Sequence, residues 1–154
     1  MVHREYSKQT PNPGAAVISV PWLSILPLYA AVPGILYLAL TFAVIRNRYR
    51  LKVSLGDGDD ERMNRIIRGH GNFAEYVPMS LLLLAFAEIG GTEALVIHLG
   101  GLALLCGRLL HGYALALTPR NLPARRYGMI LTLASIVVGI GACLRLSLSL
   151  SLGA

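Results

Sequence analysis

The chain has 154 residues, 55% of them hydrophobic and only 14% charged, where soluble proteins carry about 25% charged residues. That balance excludes an ordinary water-soluble domain and points to a single membrane domain. A net charge of +6 raises nucleic acid as a partner, but the cations cluster between apolar spans and no nucleic-acid motif occurs, so nucleic acid is set aside.

Residues 1–20 read as an N-terminal arm, polar up to Gly14 and carrying two prolines, which predicts disorder there. Val17 to Ile45 contains no charge over 29 residues, more than the roughly 20 needed to cross a bilayer. It is too long for a signal-peptide core and lacks a convincing cleavage motif. A first helix is expected from Pro21 to Tyr49, with Pro27 and Pro33 kinking it or delaying its regular start. Arg50 to Asp60 forms a loop. Its Leu-Gly-Asp-Gly-Asp-Asp run supplies glycines for turning and aspartates able to cap a following helix. A second helix follows from Asp60 to Ile89, ended by Gly90 and Gly91. A third is expected from Thr92 to Thr118, then a loop over Pro119 to Pro123, then a fourth helix from Ala124 to Leu148. Residues 149–154 make a C-terminal tail. The Leu-Ser alternation there has the period of a strand, but a lone strand at a membrane edge is implausible, so it reads as a frayed helix end.

The fold class is therefore an all-α integral membrane protein, a four-transmembrane-helix bundle over residues 21–148. Basic residues crowd two loops: Arg46, Arg48, Arg50, Lys52 and Arg62 in the first, Arg120, Arg125 and Arg126 in the third. The middle loop has only Glu88 and Glu93. The positive-inside rule then puts loops one and three in the cytoplasm and both termini outside it.

The second helix carries the strongest polar signal. Arg65, Arg68, Asn72 and Glu75 fall within about 80° of one another at 100° per residue. Lipid cannot accept two guanidiniums, an amide and a carboxylate on one stripe. Two readings stand: a structural network bracing helices, or a polar ligand site that also braces the bundle. Either needs partners from other helices or other subunits. On the third helix, Arg108 and His111 share a face. Arg108 is expected to pair with Glu75, while His111 serves either a ligand or a backbone carbonyl. His98 reads as a satisfied core or interface histidine. Ser135, Gly139 and Cys143 form a small-residue stripe suited to close packing within or between subunits. Cys106 and Cys143 sit in apolar spans and form no disulfide framework. The histidines lack ligand spacing, so no metal is expected. Arg46, Arg48 and Arg50 alternate and cannot share one direction, which fits cations snorkelling at a membrane rim.

The run Arg65-x-x-Arg68-Gly-His-x-Asn72-x-x-Glu75-Tyr76-x-Pro78 resembles the signature of the MAPEG family (membrane-associated proteins in eicosanoid and glutathione metabolism). Gly107-Arg108-Leu-Leu-His111 falls where that family has its third-helix motif, and Tyr49 to Gly58 is similar to its small bacterial branch. The resemblance covers residues 22 to 145. It implies a homotrimeric four-helix bundle in an inner membrane, with glutathione as thiol co-substrate held between subunits near the cytoplasmic side. It implies glutathione contacts at Arg68, His70, Asn72, Glu75 and Tyr76, with Arg108 and His111 alongside, and His70 reaching a site formed with another subunit. It places thiolate-stabilising arginines at Arg46 or Arg48 and at Arg125 or Arg126. The family's two third-helix tyrosines correspond here to His111 and Leu115. The implied activity is a glutathione transferase or peroxidase acting on lipophilic electrophiles or hydroperoxides. The alternative is a non-catalytic lipid-binding or scaffold protein with a residual polar site.

Overall fold

A computed structural model describes residues 23–116 and 121–152. The expected N-terminal arm, the side chain of Leu115, and Pro119 with Arg120 lie outside them. The described residues form four helices: α1 Leu26–Leu51, α2 Glu61–Ile89, α3 Ala94–Ala116 and α4 Leu122–Leu152. All four are long and apolar enough to cross a membrane.

Local chemistry sets the ends. Pro27 occupies the first turn of α1, where a missing N–H costs nothing. Helix α1 thus starts at Leu26, with the expected start at Pro21 outside the described residues, while Pro33 stays within it. The start is capped from a distance. The Glu88 carboxylate at the far end of α2 accepts from the amides of Ser24, Ile25 and Leu26 at 2.7, 2.6 and 2.9 Å. These amides have no partner within the helix, and an anion at a helix N-terminus also meets the positive end of its dipole. At the other end of α1, Lys52 adopts a left-handed conformation and turns the chain back. Asp60 caps α2 by accepting from the Met63 amide at 2.7 Å, as its loop chemistry predicted. Asn121 accepts from the Ala124 amide at 3.1 Å, which moves the start of α4 ahead of Ala124. That helix runs on to Leu152, past the expected end at Leu148. Ser149 and Ser151 donate back to the carbonyls of Leu146 and Ser147, so the Leu-Ser alternation is accommodated as helix.

Helix α2 packs against each of the other three. Its inward face carries Met63, Ile66, Gly69, Phe73, Val77, Ser80, Leu84 and Ala87, a run of three- and four-residue steps. Leu84 joins Leu26 and Tyr29 of α1, and Ala87 joins Ile97 of α3 and Ala142 of α4. Consecutive helices therefore run antiparallel, and α2 lies parallel to α4. The small-residue stripe of α4 works inside the chain: Ser135 accepts from Ser80 at 2.9 Å, and Cys143 lies 3.3 Å from the Leu83 carbonyl. The α3–α4 crossing is tighter still. A Cβ at Gly107 would lie 2.8 Å from the Gly128 carbonyl, and a Cβ at Gly128 would lie 2.7 Å from the His111 amide, so both backbones need glycine. Outside, Ile35, Phe42, Phe86, Leu95, Val137 and Leu144 are exposed, as a lipid-facing surface requires.

Candidate functional site

The inward face of α2 forces its polar stripe outward. Arg68 and Glu75 are exposed and Asn72 and Tyr76 half-buried, all on the side away from the packed core. Asn72 Nδ2 donates to the Arg68 carbonyl at 2.8 Å. Arg65 Nη1 lies 2.9 Å from Glu61 Oε1 one turn below. Among the described residues, neither Arg68 nor Glu75 takes part in an ion pair. The stripe thus holds a cation and a carboxylate two turns apart, near membrane depth, with no ionic partner among the described residues.

The expected Arg108–Glu75 pair does not form. Arg108 is 2% exposed and points between α3 and α4, where Nε donates to Thr132 Oγ1 at 2.9 Å and Nη2 donates to the same oxygen. Thr132 in turn donates to the Gly128 carbonyl at 2.9 Å. Arg108 Nη1 is buried and has no hydrogen-bond partner among the described residues. The reason for the correction is geometric. Glu75 projects from the outer face of α2, whereas Arg108 lies on the face of α3 that the glycine crossing draws against α4. His111, 3% exposed, sits one turn further along the same buried face.

His70 also turns inward. Its Nε2 lies 3.1 Å from Thr41 Oγ1, and its ring stacks on Tyr37 at 4.8 Å. It engages α1 of its own chain. Tyr37 and Phe73, 5.9 Å apart, continue this aromatic contact between α1 and α2. His98 has a satisfied Nδ1, 2.9 Å from the Tyr29 hydroxyl, as expected, but the residue is exposed rather than part of the core of its own chain.

The antiparallel order brings the end of α1, the start of α2 and the start of α4 to one end of the bundle. Arg46, Arg125 and Arg126 are exposed there. Arg48 is half-buried and donates from Nη1 to the Ser54 carbonyl at 3.1 Å, and Arg50 lies 3.9 Å from Asp60. Asp57, outside the spans, accepts from Asn64 and from the Asp59 amide, and these bonds hold its carboxyl below the usual range. Between α1 and α3 lies an apolar groove of about 510 Å³, walled by Leu36, Leu40, Phe73, Leu109 and Tyr113, with Arg108 in its floor. The sequence reading missed this groove, because its walls come from three helices whose rotation no one-dimensional pattern gives. It also missed Glu88 as a cap. The available signal was a lone carboxylate closing an otherwise apolar span.

Four apolar spans, one of them carrying a polar stripe on its outer face, define a multi-pass α-helical membrane protein. The MAPEG family model matches residues 26–145, and the chain belongs to that family. It is also 40% identical over 86 residues to "Inner membrane protein YecN" of Escherichia coli strain K12, and to the protein of the same description in the O6:H1 strain CFT073. The matched segment is 56% of this chain and spans 66% of the length of either relative. No solved structure matches the chain.

Proposed function

We propose that the protein is a trimeric, inner-membrane glutathione transferase or peroxidase acting on lipophilic electrophiles or hydroperoxides. The observation that carries this reading is the outward stripe Arg68, Asn72, Glu75 and Tyr76, whose charges find no ion pair among the described residues. An unpaired cation and anion at a lipid-facing surface are costly. A neighbouring subunit can shield them, and a zwitterionic ligand between subunits can neutralise both. Glutathione has the required groups. Arg68 would take a carboxylate, for which its planar guanidinium is suited. Glu75 would take the ammonium, Asn72 a peptide group and Tyr76 a further oxygen.

Chemistry then needs a cation near the thiol. A guanidinium favours thiolate over thiol, lowering the thiol pKa and raising the nucleophile fraction. Arg48 is engaged by Ser54, which leaves Arg46, Arg125 and Arg126 as freer candidates. In a transfer reaction the thiolate sulfur bonds to the electrophilic carbon as the leaving group departs or a ring opens. In a peroxidase reaction two thiols supply two electrons: the O–O bond breaks, and alcohol, water and the disulfide are formed. The apolar groove beside α1 and α3 offers a lipid-side path for such substrates. The same groove supports the second reading, a lipid-binding protein without turnover.

Glutathione titration of the purified protein separates the two. The enzyme reading expects a rise in ultraviolet thiolate absorbance and turnover of a generic electrophile, both reduced in at least one of Arg46→Ala, Arg125→Ala and Arg126→Ala. Binding without thiolate signal or turnover supports the lipid-binding reading. The proposed orientation, with both termini outside the cytoplasm, is tested by reporter fusions to the C-terminus and to the α3–α4 loop, which should show opposite sidedness.

A further inference from the structure

We propose that the C-terminal end of α1 binds an anionic phospholipid, with its phosphodiester between Arg48 and Lys52 and one acyl chain laid along Leu38, Phe42, Ile45 and Tyr49. Helix α1 has 26 residues and at about 1.5 Å per residue outruns a hydrocarbon core of roughly 30 Å. Its last turns therefore emerge at headgroup level.

A cavity of about 490 Å³ opens there, lined by Ile45, Arg48, Tyr49, Lys52, Val53 and Ser54. The loop is folded back to build it. Lys52 takes φ 55°, and the Val53 amide donates to the Arg48 carbonyl at 3.1 Å. Ser54 then meets Arg48 Nη1, which fixes the guanidinium on the cavity wall. Val53 in turn closes on Gly58, leaving no room there for a Cβ.

The cavity has cations and no anion. Of the four carboxylates in the adjoining segment, three are engaged elsewhere, Asp57 by Asn64, Asp60 by the Met63 amide and Arg50, and Glu61 by Arg65, and the fourth, Asp59, does not line the cavity. Among the described residues, neither Arg48 nor Lys52 pairs with a carboxylate. A phosphodiester completes the charge.

The apolar part of the ligand follows from α1 itself. Leu38, Phe42, Ile45 and Tyr49 are 55, 65, 43 and 82% exposed, and their steps of four, three and four residues make one continuous stripe. From Leu38 to Tyr49 the stripe rises about 16 Å, close to one leaflet of the roughly 30 Å core. Tyr49 sits where aromatic rings favour the interface. A free phosphate would use the cations and leave the stripe unused.

The full chain is purified with equimolar phosphatidylglycerol and phosphatidylcholine, and retained lipid is counted by native mass spectrometry. Phosphatidylglycerol should be retained preferentially, about one per protomer, and lost as ionic strength rises. Each basic side chain at an anionic surface contributes about fivefold, so Arg48→Gln with Lys52→Gln should weaken retention roughly 30-fold. Both changes keep most of the stem, and circular dichroism checks that the helices persist. Arg145→Gln, at the opposite end of the bundle, should change nothing. Equal retention of the two lipids, salt-independent retention, or undiminished retention by the double variant would overturn the proposal. So would displacement of the lipid by inorganic phosphate, which would assign the cavity to the free ion. None of these readouts involves glutathione, so they stand apart from the enzymatic reading.

Discussion

Replacing Glu88 should loosen α1 more than its partial exposure suggests. Its carboxylate accepts from three consecutive amides, at Ser24, Ile25 and Leu26, which α1 cannot satisfy internally. Losing an N-cap acceptor costs typically about 1 kcal/mol. Losing a negative charge at a helix N-terminus adds about 0.3–1 kcal/mol where it is exposed. Most of the carboxylate is near solvent, so the lower end of the second range applies. Glu88→Gln keeps an oxygen acceptor and loses the charge, and should cost about 0.3–0.5 kcal/mol. Glu88→Ala loses both and should cost about 1.3–1.5 kcal/mol. The assay is reversible denaturation in mixed micelles, with hydrogen exchange read over residues 24–30. Alanine should destabilise more than glutamine, and exchange should rise first at the α1 N-terminus. Equal stability of all three proteins, with unchanged exchange over 24–30, would refute the cap as a stabilising contact between α1 and α2.

Other perturbations follow from the same contacts. Arg108→Met removes a buried cation that has no counter-ion among the described residues, while Thr132 keeps its bond to Gly128; thermal unfolding in detergent should be unchanged or raised, since apolar replacement of buried charge is often neutral or stabilising. Gly128→Leu would drive a side chain into the His111 and Gly107 backbone and should abolish the folded bundle, seen as aggregation on size exclusion. Asp57 has a folded pKa below its ordinary value of 3.8, so its contribution is present above pH 3.8 and lost as pH falls through the folded pKa; hydrogen exchange over residues 53–60 should rise in that acid window, and Asp57→Asn should flatten the dependence.

Sequence patterns gave the spans because apolar length is a one-dimensional property. They gave the cap at Asp60 and the grouping of the polar stripe because both depend on spacing within one helix; a stripe expected to face a bundle interior or a water-filled cavity lies instead on the outer face of its own chain, because the apolar face of α2 takes the core. They failed where a second helix decides. Arg108 and Glu75 both needed partners, and pairing them was reasonable until the Gly107–Gly128 crossing fixed the rotation of α3 and aimed Arg108 at Thr132. His70 follows Arg68 by two residues and so faces away from it; the pattern did not show that Tyr37 and Thr41 would fill that side. The sequence places the first helix from Pro21, with Pro27 and Pro33 kinking it or delaying its regular start; what no local pattern shows is that Glu88, 61 residues beyond Pro27, caps the amides around Leu26. The Leu-Ser tail kept helical form because its serines bond back to carbonyls one turn earlier, a local option that its strand-like alternation hides.

The central claim is that the outward stripe of α2 holds glutathione, and isothermal titration of glutathione into the purified wild-type assembly tests it most directly, with Arg68→Ala measured beside it. The account predicts saturable binding by the wild type, and at least about tenfold weaker binding by a variant of unchanged assembly, as expected for loss of a charged hydrogen-bond donor worth about 1.5–3 kcal/mol. No binding by the wild type, or equal binding by Arg68→Ala, would contradict it.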